Sequence, residues 1–279
     1  MNTQSIGYID PKDFDTVASK LRTFCRSKGF IEVPVQNRLS ISAACEDPST
    51  LTEFSYAGKT WPLPQTGQMW LEYELLRNPD AAGFYAISTS YRQEPDPVPG
   101  RHDLIFPMFE FELPGDINAL MEFEKELLEY LGYGKKEDFP SGTYGDICKK
   151  YDADEVGHHE ESRLYEDYGP VFFLKDFPEE SSPFWNMARR NGVAQKIDVI
   201  LSGMETFGSA ERSVDPVQMR HNFDTISEGQ YAKTLYAKFG KQRVDDELNE
   251  FLSGSFIHRC GGGIGMTRLI KSMKKEKLM

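Results

Sequence analysis

Apolar residues recur at three- and four-residue steps in two stretches of the chain, and this spacing predicts two amphipathic helices. The first stretch begins after Asp10 and Pro11, a typical helix start, because the carboxylate caps backbone N–H groups and proline fits the first turn. Gly29 is predicted to close this helix and Gly132 to close the second. The apolar positions are Phe14, Val17, Ala18, Leu21, Phe24 and Cys25 in the first and Leu120, Phe123, Leu127, Leu128 and Leu131 in the second.

Shorter apolar runs between these helices predict strands. Residues 30–35 (FIEVPV) predict a short strand, and Phe54 and Trp61 mark a predicted strand pair. A further helix is predicted to begin near Gly67. Residues 85–113 then predict a hairpin of two apolar strands around a long, proline-rich loop. Guanidinium groups in such a loop suit an anionic, phosphorylated ligand. The charged residues of the loop are Arg92, Glu94, Arg101 and His102.

The second half of the chain adds more strands than crossover helices. Residues 169–178 predict a buried strand that stops at proline, and residues 196–213 predict two strands that turn at Gly203. Residues 135–168 are polar and predict small helices with loops, and residues 215–252 predict a helical region. We therefore expect an α+β fold with a mostly antiparallel β-sheet flanked by helices.

The length of 279 residues is enough to bury a substantial core, and we expect a single domain over residues 1–279 with an N-terminal tail at residues 1–10. The chain has 32 basic and 44 acidic residues, so its net charge is −12. This charge opposes binding to DNA or to an anionic membrane, and any tRNA contact would need a local basic patch.

The chain has no run of eighteen apolar residues and no charged leader followed by an apolar stretch, which predicts a cytoplasmic protein without a membrane span. Its four cysteines lie far apart and lack paired metal-ligand spacing, which favours reduced thiols over disulfides or a zinc site. These cysteines are Cys25, Cys45, Cys148 and Cys260.

A glycine run at residues 261–265 precedes Arg268 and predicts a glycine-rich turn into a terminal helix. Such a turn lets the backbone approach a ligand closely, and the following helix N-terminus favours an anion. The run lacks the Lys-Ser/Thr of a P-loop and does not open a βαβ unit, which disfavours a dinucleotide fold. A tight strand-to-helix junction without a ligand is an equally good interpretation of the run alone.

Two acidic residues, Asp198 and Glu205, lie seven positions apart on neighbouring predicted strands. Carboxylates so placed could hold Mg²⁺ against a polyphosphate, because Mg²⁺ prefers a few carboxylates and completes its coordination with water and phosphate oxygens. Without other evidence, a pair of strand acids is more often solvated surface or part of salt bridges.

Taken together, these stretches resemble the catalytic domain of class II aminoacyl-tRNA synthetases, and most closely the asparaginyl member of the aspartyl/asparaginyl branch. Residues 91–94 and 106–112, with the loop between them, resemble the second signature motif of the family, and residues 261–269 resemble the third. The first helix and its strand resemble the first, dimer-forming motif, with Pro34 about two residues earlier than the usual proline. The resemblance covers nearly the whole chain and implies ATP and Mg²⁺ as cofactors and a homodimer.

The resemblance also implies roles for individual residues at a nucleotide site. Arg92 would bind the α-phosphate and the amino acid's carboxylate, and Arg268 would stack on adenine and touch the γ-phosphate; these are the implied catalytic residues. Phe106 would stack on the other face of adenine, and Asp198 and Glu205 would hold Mg²⁺. The other implied ATP contacts are Glu94, Arg101, His102 and Gly265.

An amino-acid site is implied by three further similarities. Glu46 resembles a mobile-loop glutamate that takes the substrate's α-amino group, although Asp47 follows it where glycine is usual. Residues 65–72 resemble the floor of the amino-acid pocket. Arg212 resembles an arginine that touches the substrate's side-chain oxygen, although the acidic neighbour Glu211 is unusual. The implied floor contacts are Gln65, Gln68 and Glu72.

The pair Leu71-Glu72 bears on which amino acid is bound. Aspartyl enzymes and ammonia-dependent asparagine synthetases of this fold usually carry lysine where Leu71 stands, whereas asparaginyl enzymes carry Leu-Glu. A lysine would neutralise a side-chain carboxylate, whereas Glu72 can accept from a carboxamide and would repel a carboxylate. The resemblance therefore favours asparagine or a close relative.

Complete synthetases of this branch resemble the chain only after an anticodon-binding OB-fold, for which the first helix at residue 11 leaves no room. We therefore expect a stand-alone paralogue that forms an aminoacyl-adenylate and passes it to ammonia, a small metabolite or a carrier. The alternatives are an asparagine synthetase that activates aspartate for ammonia, a truncated asparaginyl-tRNA synthetase, and a non-catalytic paralogue that binds an amino acid and regulates a partner.

Overall fold

The computed structural model describes residues 8–35, 39–42, 48–181 and 184–279. The α-helices in these ranges are α1 (Pro11–Ser27), α2 (Gln68–Arg77), α3 (Ile117–Leu131), α4 (Tyr144–Tyr151), α5 (His158–Tyr168), α6 (Pro216–Thr225), α7 (Gln230–Phe239), α8 (Lys241–Leu252) and α9 (Met266–Lys275). The strands are β1 (Ile31–Glu32), β2 (Thr52–Tyr56), β3 (Lys59–Leu63), β4 (Phe84–Tyr91), β5 (Ile105–Pro114), β6 (Ser141–Thr143), β7 (Val171–Pro178), β8 (Arg189–Arg190), β9 (Val193–Leu201), β10 (Met204–Glu211) and β11 (Arg259–Gly265).

One large sheet organises the described chain, with the strand order β1-β4-β5-β11-β10-β9-β7-β6 and with β8 beside β9. The β1–β4 and β6–β7 pairs are parallel, and the other strand pairs of this sheet are antiparallel. The strands β2 and β3 form a separate hairpin in which Phe54 pairs with Trp61. The predicted α+β fold with a mostly antiparallel sheet is confirmed.

The predicted hairpin occupies the part of the sheet next to its parallel edge. Its strands β4 and β5 pair from Phe84 with Glu112 to Tyr91 with Ile105, and the long loop between them projects from the end of that register. The other side of β5 pairs with β11. The hairpin loop is therefore anchored to a strand that is hydrogen-bonded on both sides.

The glycine run was expected to form a turn, and this expectation is wrong. Residues 259–265 form the strand β11, which is buried along its whole length between β5 and β10. A Cβ atom on Gly261 would lie 2.0 Å from Glu112 Oε2 and 2.3 Å from Phe111 O. Glycine is needed here because the neighbouring strand leaves no room for a side chain, so the composition that indicated a turn reflects close packing instead.

Two further boundaries differ from the sequence predictions. The strand predicted over residues 30–35 is only the two residues of β1, both of them exposed at the sheet edge. The short strand β6 was not predicted and pairs in parallel with β7. The predicted helix ends are confirmed, since Asp10 accepts hydrogen bonds from two backbone N–H groups of α1, and Gly132 ends α3 with φ 99°.

Four apolar clusters are buried in the described part of the chain, and two of them are much larger than the others. The helices α1, α3 and α9 pack on the sheet through a cluster that includes Leu21, Phe123 and Met273. The helices α6, α7 and α8 form a second cluster around Trp185. Within the described ranges, no helix is both long enough and apolar enough to cross a membrane.

Candidate active site

A cavity of about 290 Å³ opens beside the hairpin loop, a size near the lower end for small-molecule sites. Its walls come from the loop, from β5, β9, β10 and β11, and from the first turns of α5 and α9. Its cationic side chains are Arg92, Arg101, Lys196, Arg212 and Arg268, its acidic side chains are Glu94, Asp103, Glu161 and Glu205, and His102 and His158 also line it.

Arg92 and Phe106 stand opposite each other at the base of the hairpin loop. The guanidinium carbon of Arg92 lies 5.7 Å from the centre of the Phe106 ring, within the range of a cation–π contact. The backbone N–H of Arg92 donates to Leu104 O at 2.8 Å, so the two strands remain joined just beyond the regular ladder. The hairpin thus presents one guanidinium and one aromatic face to the same cavity.

Arg268 crosses from the first turn of α9 to the opposite walls of the cavity. Its Nε and Nη2 donate to Arg101 O at 3.3 and 3.2 Å, and its Nη1 donates to Glu205 O at 2.7 Å. Lys271, one turn later, donates to Gly100 O at 3.1 Å. The tip of the hairpin loop is therefore held by two cations of α9 through neutral carbonyl groups.

The start of α5 closes the same end of the cavity, and sequence reasoning missed it. The Glu161 carboxylate accepts from Arg101 and from the backbone N–H of Glu205, the latter at 3.1 Å. Burial raises the pKa of Glu161 to about 7, and the charge of Glu205 adds to the shift. The ring of His158 lies 5.4 Å from the ring of His102. Burial and the charge of Arg101 lower the pKa of His158.

His102 and Glu94 form a pair on the loop itself, with His102 Nδ1 2.8 Å from Glu94 Oε2. Gly265 is the residue at which β11 ends and α9 begins, and it also lines the cavity. The predicted nucleotide-site residues of the hairpin and of the terminal helix thus lie around one cavity. Their contacts with ATP stay predictions.

The two carboxylates predicted to hold Mg²⁺ converge on Gly208 of β10. A Cβ atom on this glycine would lie 3.3 Å from Glu205 Oε1 and 3.8 Å from Asp198 Oδ1. Two carboxylates facing a glycine beside a cationic cavity fit a divalent ion that also takes phosphate oxygens. Among the described residues, no group of three or more acidic, histidine or cysteine side chains forms a complete metal site.

Arg212 lies at the other end of the cavity, where it is almost wholly buried. Its Nε and Nη2 each lie 3.4 Å from a Glu112 oxygen, and its Nη2 also donates to Gly261 O at 3.1 Å. Burial raises the pKa of Glu112 to about 7, while the charge of Arg212 opposes the shift. Gln68 donates to Glu112 Oε2 at 2.9 Å, so the glutamate is bridged to the predicted pocket floor.

Glu72 is buried behind this end of the cavity and does not line it. Its Oε2 accepts from Arg259 Nε and Nη2 at 3.0 and 2.7 Å, and its Oε1 accepts from Asn186 at 2.7 Å. Arg212 Nε is 3.6 Å from the same carboxylate. A direct bond from Glu72 to a substrate amide stays a prediction.

Residues 12–278 match the family described as tRNA synthetases class II (D, K and N). The chain belongs to this family. Members of this class II synthetase family are ATP-dependent aminoacyl-tRNA ligases. The predicted family and its branch are therefore confirmed.

Individual class II relatives are similar over almost all of the chain. The aspartate–tRNA(Asp/Asn) ligase of Archaeoglobus fulgidus is 26% identical over 290 residues, which cover 92% of this chain and 63% of that protein. The structure of asparaginyl-tRNA synthetase from Pyrococcus horikoshii complexed with asparaginyl-adenylate has a TM-score of 0.77 and 21% identity, and it covers 95% of this chain and 64% of the other. Asparaginyl-tRNA synthetase from Entamoeba histolytica, also in complex with asparaginyl-adenylate, has a TM-score of 0.75 and 15% identity, with coverages of 95% and 63%. The chain thus spans less than two thirds of the length of these relatives.

One predicted amino-acid contact, Gln65, lies outside the main cavity of this class II domain. Gln65 lines a smaller neighbouring pocket with Arg92 and Glu94, and its Nε2 donates to Thr50 Oγ1 at 2.6 Å. Glu46 lies outside the described residues. Neither position tests the predicted contact with a substrate.

Glu110 is a fully buried residue of β5 that sequence reasoning missed. It accepts from Ser88 Oγ at 2.6 Å, from the backbone N–H of Gly67, and from the Thr66 hydroxyl. These bonds tie the N-terminus of α2, which carries the predicted pocket floor, to the hairpin. The alternation of acids with aromatic residues along β5 is the sequence signal that could have found it.

Proposed function

We propose that this protein is an ATP-dependent ligase that forms an aminoacyl-adenylate from asparagine, or from a close relative of asparagine, and releases pyrophosphate. The observation that supports this best is one cavity with two chemically different ends. At one end Arg92 faces Phe106 and Arg268 is held by carbonyl groups. At the other end Arg212 lies between the buried acids Glu112 and Glu72. The first arrangement suits a nucleotide, and the second suits a small polar side chain.

The charge of the cavity supports a polyanionic ligand. Five arginine and lysine side chains line it against four acidic ones, although the chain as a whole has a net charge of −12. A concave site that concentrates cations in this way attracts phosphate groups and excludes much of the competing solvent. The nucleotide is therefore expected to bind by charge as well as by stacking on Phe106.

In the proposed reaction, a carboxylate oxygen of the amino acid attacks the α-phosphorus of ATP, and the bond to pyrophosphate breaks. No side chain has to act as nucleophile or base, because the substrate carboxylate is already ionised. Arg92 can donate two N–H groups to oxygens on which negative charge develops, and such donors commonly contribute most of the rate enhancement.

The outer phosphates would be neutralised by Arg101, His102 and Arg268, which line the same end of the cavity. Asp198 and Glu205 would hold Mg²⁺, which supplies further charge neutralisation for the phosphates. Arg268 can turn to a phosphate at little cost, since its hydrogen-bond acceptors are neutral carbonyl oxygens and its Nη1 lies 3.9 Å from the Glu205 carboxylate, beyond hydrogen-bond distance.

The charge balance at the other end supports an amide substrate over a carboxylate. Arg212 and Arg259 are opposed by Glu72 and Glu112, so the buried group is neutral when both acids are ionised. A neutral cluster has no excess positive charge to compensate the side-chain carboxylate of an aspartate substrate. An uncompensated buried charge is costly. A carboxamide oxygen can still accept from Arg212. We therefore propose that the whole charged cluster, and not Glu72 alone, discriminates asparagine from aspartate.

A homodimer through the first motif is part of the proposal. The strand β1 is the last strand at its edge of the sheet, and its Ile31 side chain is 53% exposed. An exposed apolar residue on an open strand edge favours pairing with a second copy. Analytical ultracentrifugation of Ile31→Lys against the unchanged protein tests this, and a dimer that persists unchanged would contradict it.

The acceptor proposed for the adenylate is ammonia, a small metabolite or a carrier, because the net charge of −12 opposes general affinity for tRNA. The experiment is an ATP–pyrophosphate exchange screen across the amino acids, with the unchanged protein, Arg92→Ala and Arg77→Ala. Arg77 is an exposed arginine at the end of α2 and serves as the matched control. We expect exchange with asparagine that Arg92→Ala abolishes and Arg77→Ala retains.

The other outcomes separate the alternatives. Exchange with aspartate and an amide product in the presence of ammonia would establish an asparagine synthetase. Aminoacylation of total tRNA would establish a tRNA ligase. Absence of exchange with every amino acid, in a protein that still binds one of them in calorimetry, would support the regulatory paralogue and overturn the proposed activity.

A further inference from the structure

Asn186 is a fully buried residue that none of the assigned roles uses. Its Nδ2 donates to Glu72 Oε1 at 2.7 Å, and its backbone carbonyl accepts from Ser213 N at 2.7 Å. The next residue, Met187, forms a β-bridge with Arg212. The segment that carries Asn186 is therefore fixed beside the residues that follow β10.

Arg212 lies between two glutamates and forms no short bond to either. Its Nε is 3.6 Å from Glu72 Oε1 and 3.4 Å from Glu112 Oε1, whereas bonds between a guanidinium group and a carboxylate are commonly about 2.8 Å long. Glu72 instead accepts a shorter bond from the Asn186 amide, at 2.7 Å. Glu112 likewise accepts a shorter bond from the Gln68 amide, at 2.9 Å. Two neutral amides thus occupy carboxylate oxygens that Arg212 also faces.

We propose that Asn186 is a positioning residue of the amino-acid site, because its neutral donor satisfies Glu72 and leaves Arg212 available to the carboxamide oxygen of the substrate. The inference rests on the proposed function, since it needs an amide substrate at this end of the cavity. An ionised carboxylate can only accept hydrogen bonds, so the Asn186 amide presents its nitrogen to Glu72. A neutral donor also leaves the charge of the buried cluster unchanged, whereas a cation at position 186 would compensate an aspartate substrate.

The expected consequence of losing this donor concerns Arg212. Without the Asn186 amide, Glu72 Oε1 would have no hydrogen-bond donor among the residues that the structure describes. A buried acceptor that loses its donor is costly, so Arg212 Nε, 3.6 Å away, is expected to close on it. Arg212 would then be committed to Glu72 and turned from the cavity that it lines. Binding of the substrate side chain would weaken, while the phosphate chemistry at Arg92 would not change.

The test compares the unchanged protein with Asn186→Leu and Asn222→Leu. Leucine is similar in shape to asparagine and has no donor. Asn222 is the matched control, because it is a buried asparagine of α6 whose Nδ2 donates to Trp185 O at 3.2 Å, and it does not line the cavity. Thermal denaturation reports whether each variant is folded. Asn186→Ala, which only shortens the side chain, serves in every measurement if Asn186→Leu does not fold.

The first measurement is ATP–pyrophosphate exchange at varied asparagine and at varied ATP. Asn186→Leu should raise KM for asparagine about tenfold, in keeping with the loss of a hydrogen bond to a charged group, and should change kcat and KM for ATP by about twofold or less. Asn222→Leu should resemble the unchanged protein. The proposal is overturned if Asn186→Leu leaves KM for asparagine unchanged, if it lowers kcat as much as it raises this KM, or if Asn222→Leu gives the same increase.

Crystal structures of the two variants separate this inference from the proposed function, because they need no substrate. The distance from Arg212 Nε to Glu72 Oε1, now 3.6 Å, should shorten to about 2.8 Å in Asn186→Leu and stay as it is in Asn222→Leu. An unchanged distance in Asn186→Leu would refute the inference, even if exchange occurs. Absence of exchange with every amino acid in the unchanged protein would instead refute the proposed function, while the distance still decides whether Asn186 keeps Arg212 away from Glu72.

Discussion

Arg268 at the hairpin end of the cavity and Arg212 at the other end are held in opposite ways. At the hairpin end, the Arg268 side chain is 26% exposed and donates to neutral carbonyl groups of Arg101 and Glu205. At the other end, Arg212 is 3% exposed and Arg259 is fully buried, and both face the carboxylate of Glu72. Arg268 can exchange its carbonyl partners for a ligand at little cost, whereas Arg212 and Arg259 cannot leave Glu72 without leaving a charge buried and unpaired.

This difference teaches that the two ends contribute to function by different means. The hairpin end can be rearranged by the ligand, so it is suited to bind and release a nucleotide in every cycle. The buried end is preset by the fold, so it is suited to discriminate between side chains that differ only in charge. Four substitutions test this contrast.

The largest effect is expected from Glu72→Ala at the buried end. The change leaves Arg259 without its carboxylate in a fully buried position, and breaking such a pair commonly costs about 3–5 kcal/mol of unfolding free energy. Urea denaturation measures this loss. The double variant Glu72→Met/Arg259→Met should regain much of the stability, because two apolar side chains need no partner; a double variant as unstable as Glu72→Ala would show that the pair is not the cause.

The second-largest effect is expected from Arg92→Ala at the hairpin end. This change should lower the rate of adenylate formation and leave the stability of the fold nearly unchanged. Removing a donor to developing charge commonly lowers the rate of the chemical step by about 10²–10³-fold. Single-turnover adenylate formation measures this loss, and urea denaturation should show a midpoint close to that of the unchanged protein. An equal loss of rate in the control Arg77→Ala would contradict a specific role for Arg92.

A smaller effect is expected from pH and from Glu112→Gln. The pKa of Glu112 is raised by burial to about 7, so the buried cluster is neutral above that pH and carries an excess positive charge below it. Asparagine should therefore be preferred at pH 8, and the ratio of aspartate to asparagine exchange should rise as the pH falls to 6. Glu112→Gln should show a ratio about tenfold higher that no longer changes with pH.

The sign of the stability change follows from the same pKa. A carboxyl group whose pKa is higher in the folded chain binds an extra proton there between its ordinary value of 4.5 and about 7. This contribution to stability is full below pH 4.5 and is lost as the pH rises to 7. Glu112→Gln should flatten that part of the stability profile, and an unchanged slope would contradict the assignment.

The smallest effect is expected from Glu161→Gln. Glu161 pairs with Arg101 and has a pKa of about 7, raised mainly by burial, so it competes with phosphates for the arginine more strongly at pH 8 than at pH 6. The glutamine variant should bind an ATP analogue about threefold more tightly at pH 8, in keeping with a partly exposed pair of about 1 kcal/mol or less. Calorimetry at both pH values checks this, and a variant that binds more weakly at pH 8 would contradict competition.

The sequence predicted those parts of the site whose signals are local. The hairpin, its charged tip and the caps of α1 and α3 depend on residues close together in the chain, and the structure confirms them. The buried strand β11 was missed because neighbouring strands dictate its glycines: Phe111 and Glu112 of β5 crowd Gly261, and Ser209 of β10 crowds Gly262. Local patterns carry no information about which distant strand will lie against a residue.

The position of Glu72 was beyond prediction for the same reason. The resemblance of residues 65–72 to the family's pocket floor implied that Glu72 contacts the substrate, but its partner Arg259 lies 187 positions further along the chain. Similarly, Glu161 belongs to a polar region that gave little signal, and its partner Arg101 lies 60 positions earlier. Pairing over such distances is fixed by the assembled sheet and not by the order of residues.

The hairpin tip and a bound nucleotide compete for the Arg268 side chain, because its three hydrogen bonds already hold backbone carbonyl groups. Whenever a phosphate or a base draws Arg268 away, Arg101 O loses both of its guanidinium donors, and the loop keeps its ties to Lys271 and, through the Arg101 side chain, to Glu161. The mobility of the hairpin tip should therefore report whether a nucleotide occupies the cavity. A fluorescent label on this loop would become more mobile as ligand enters, and its return to the closed position would time the departure of the product.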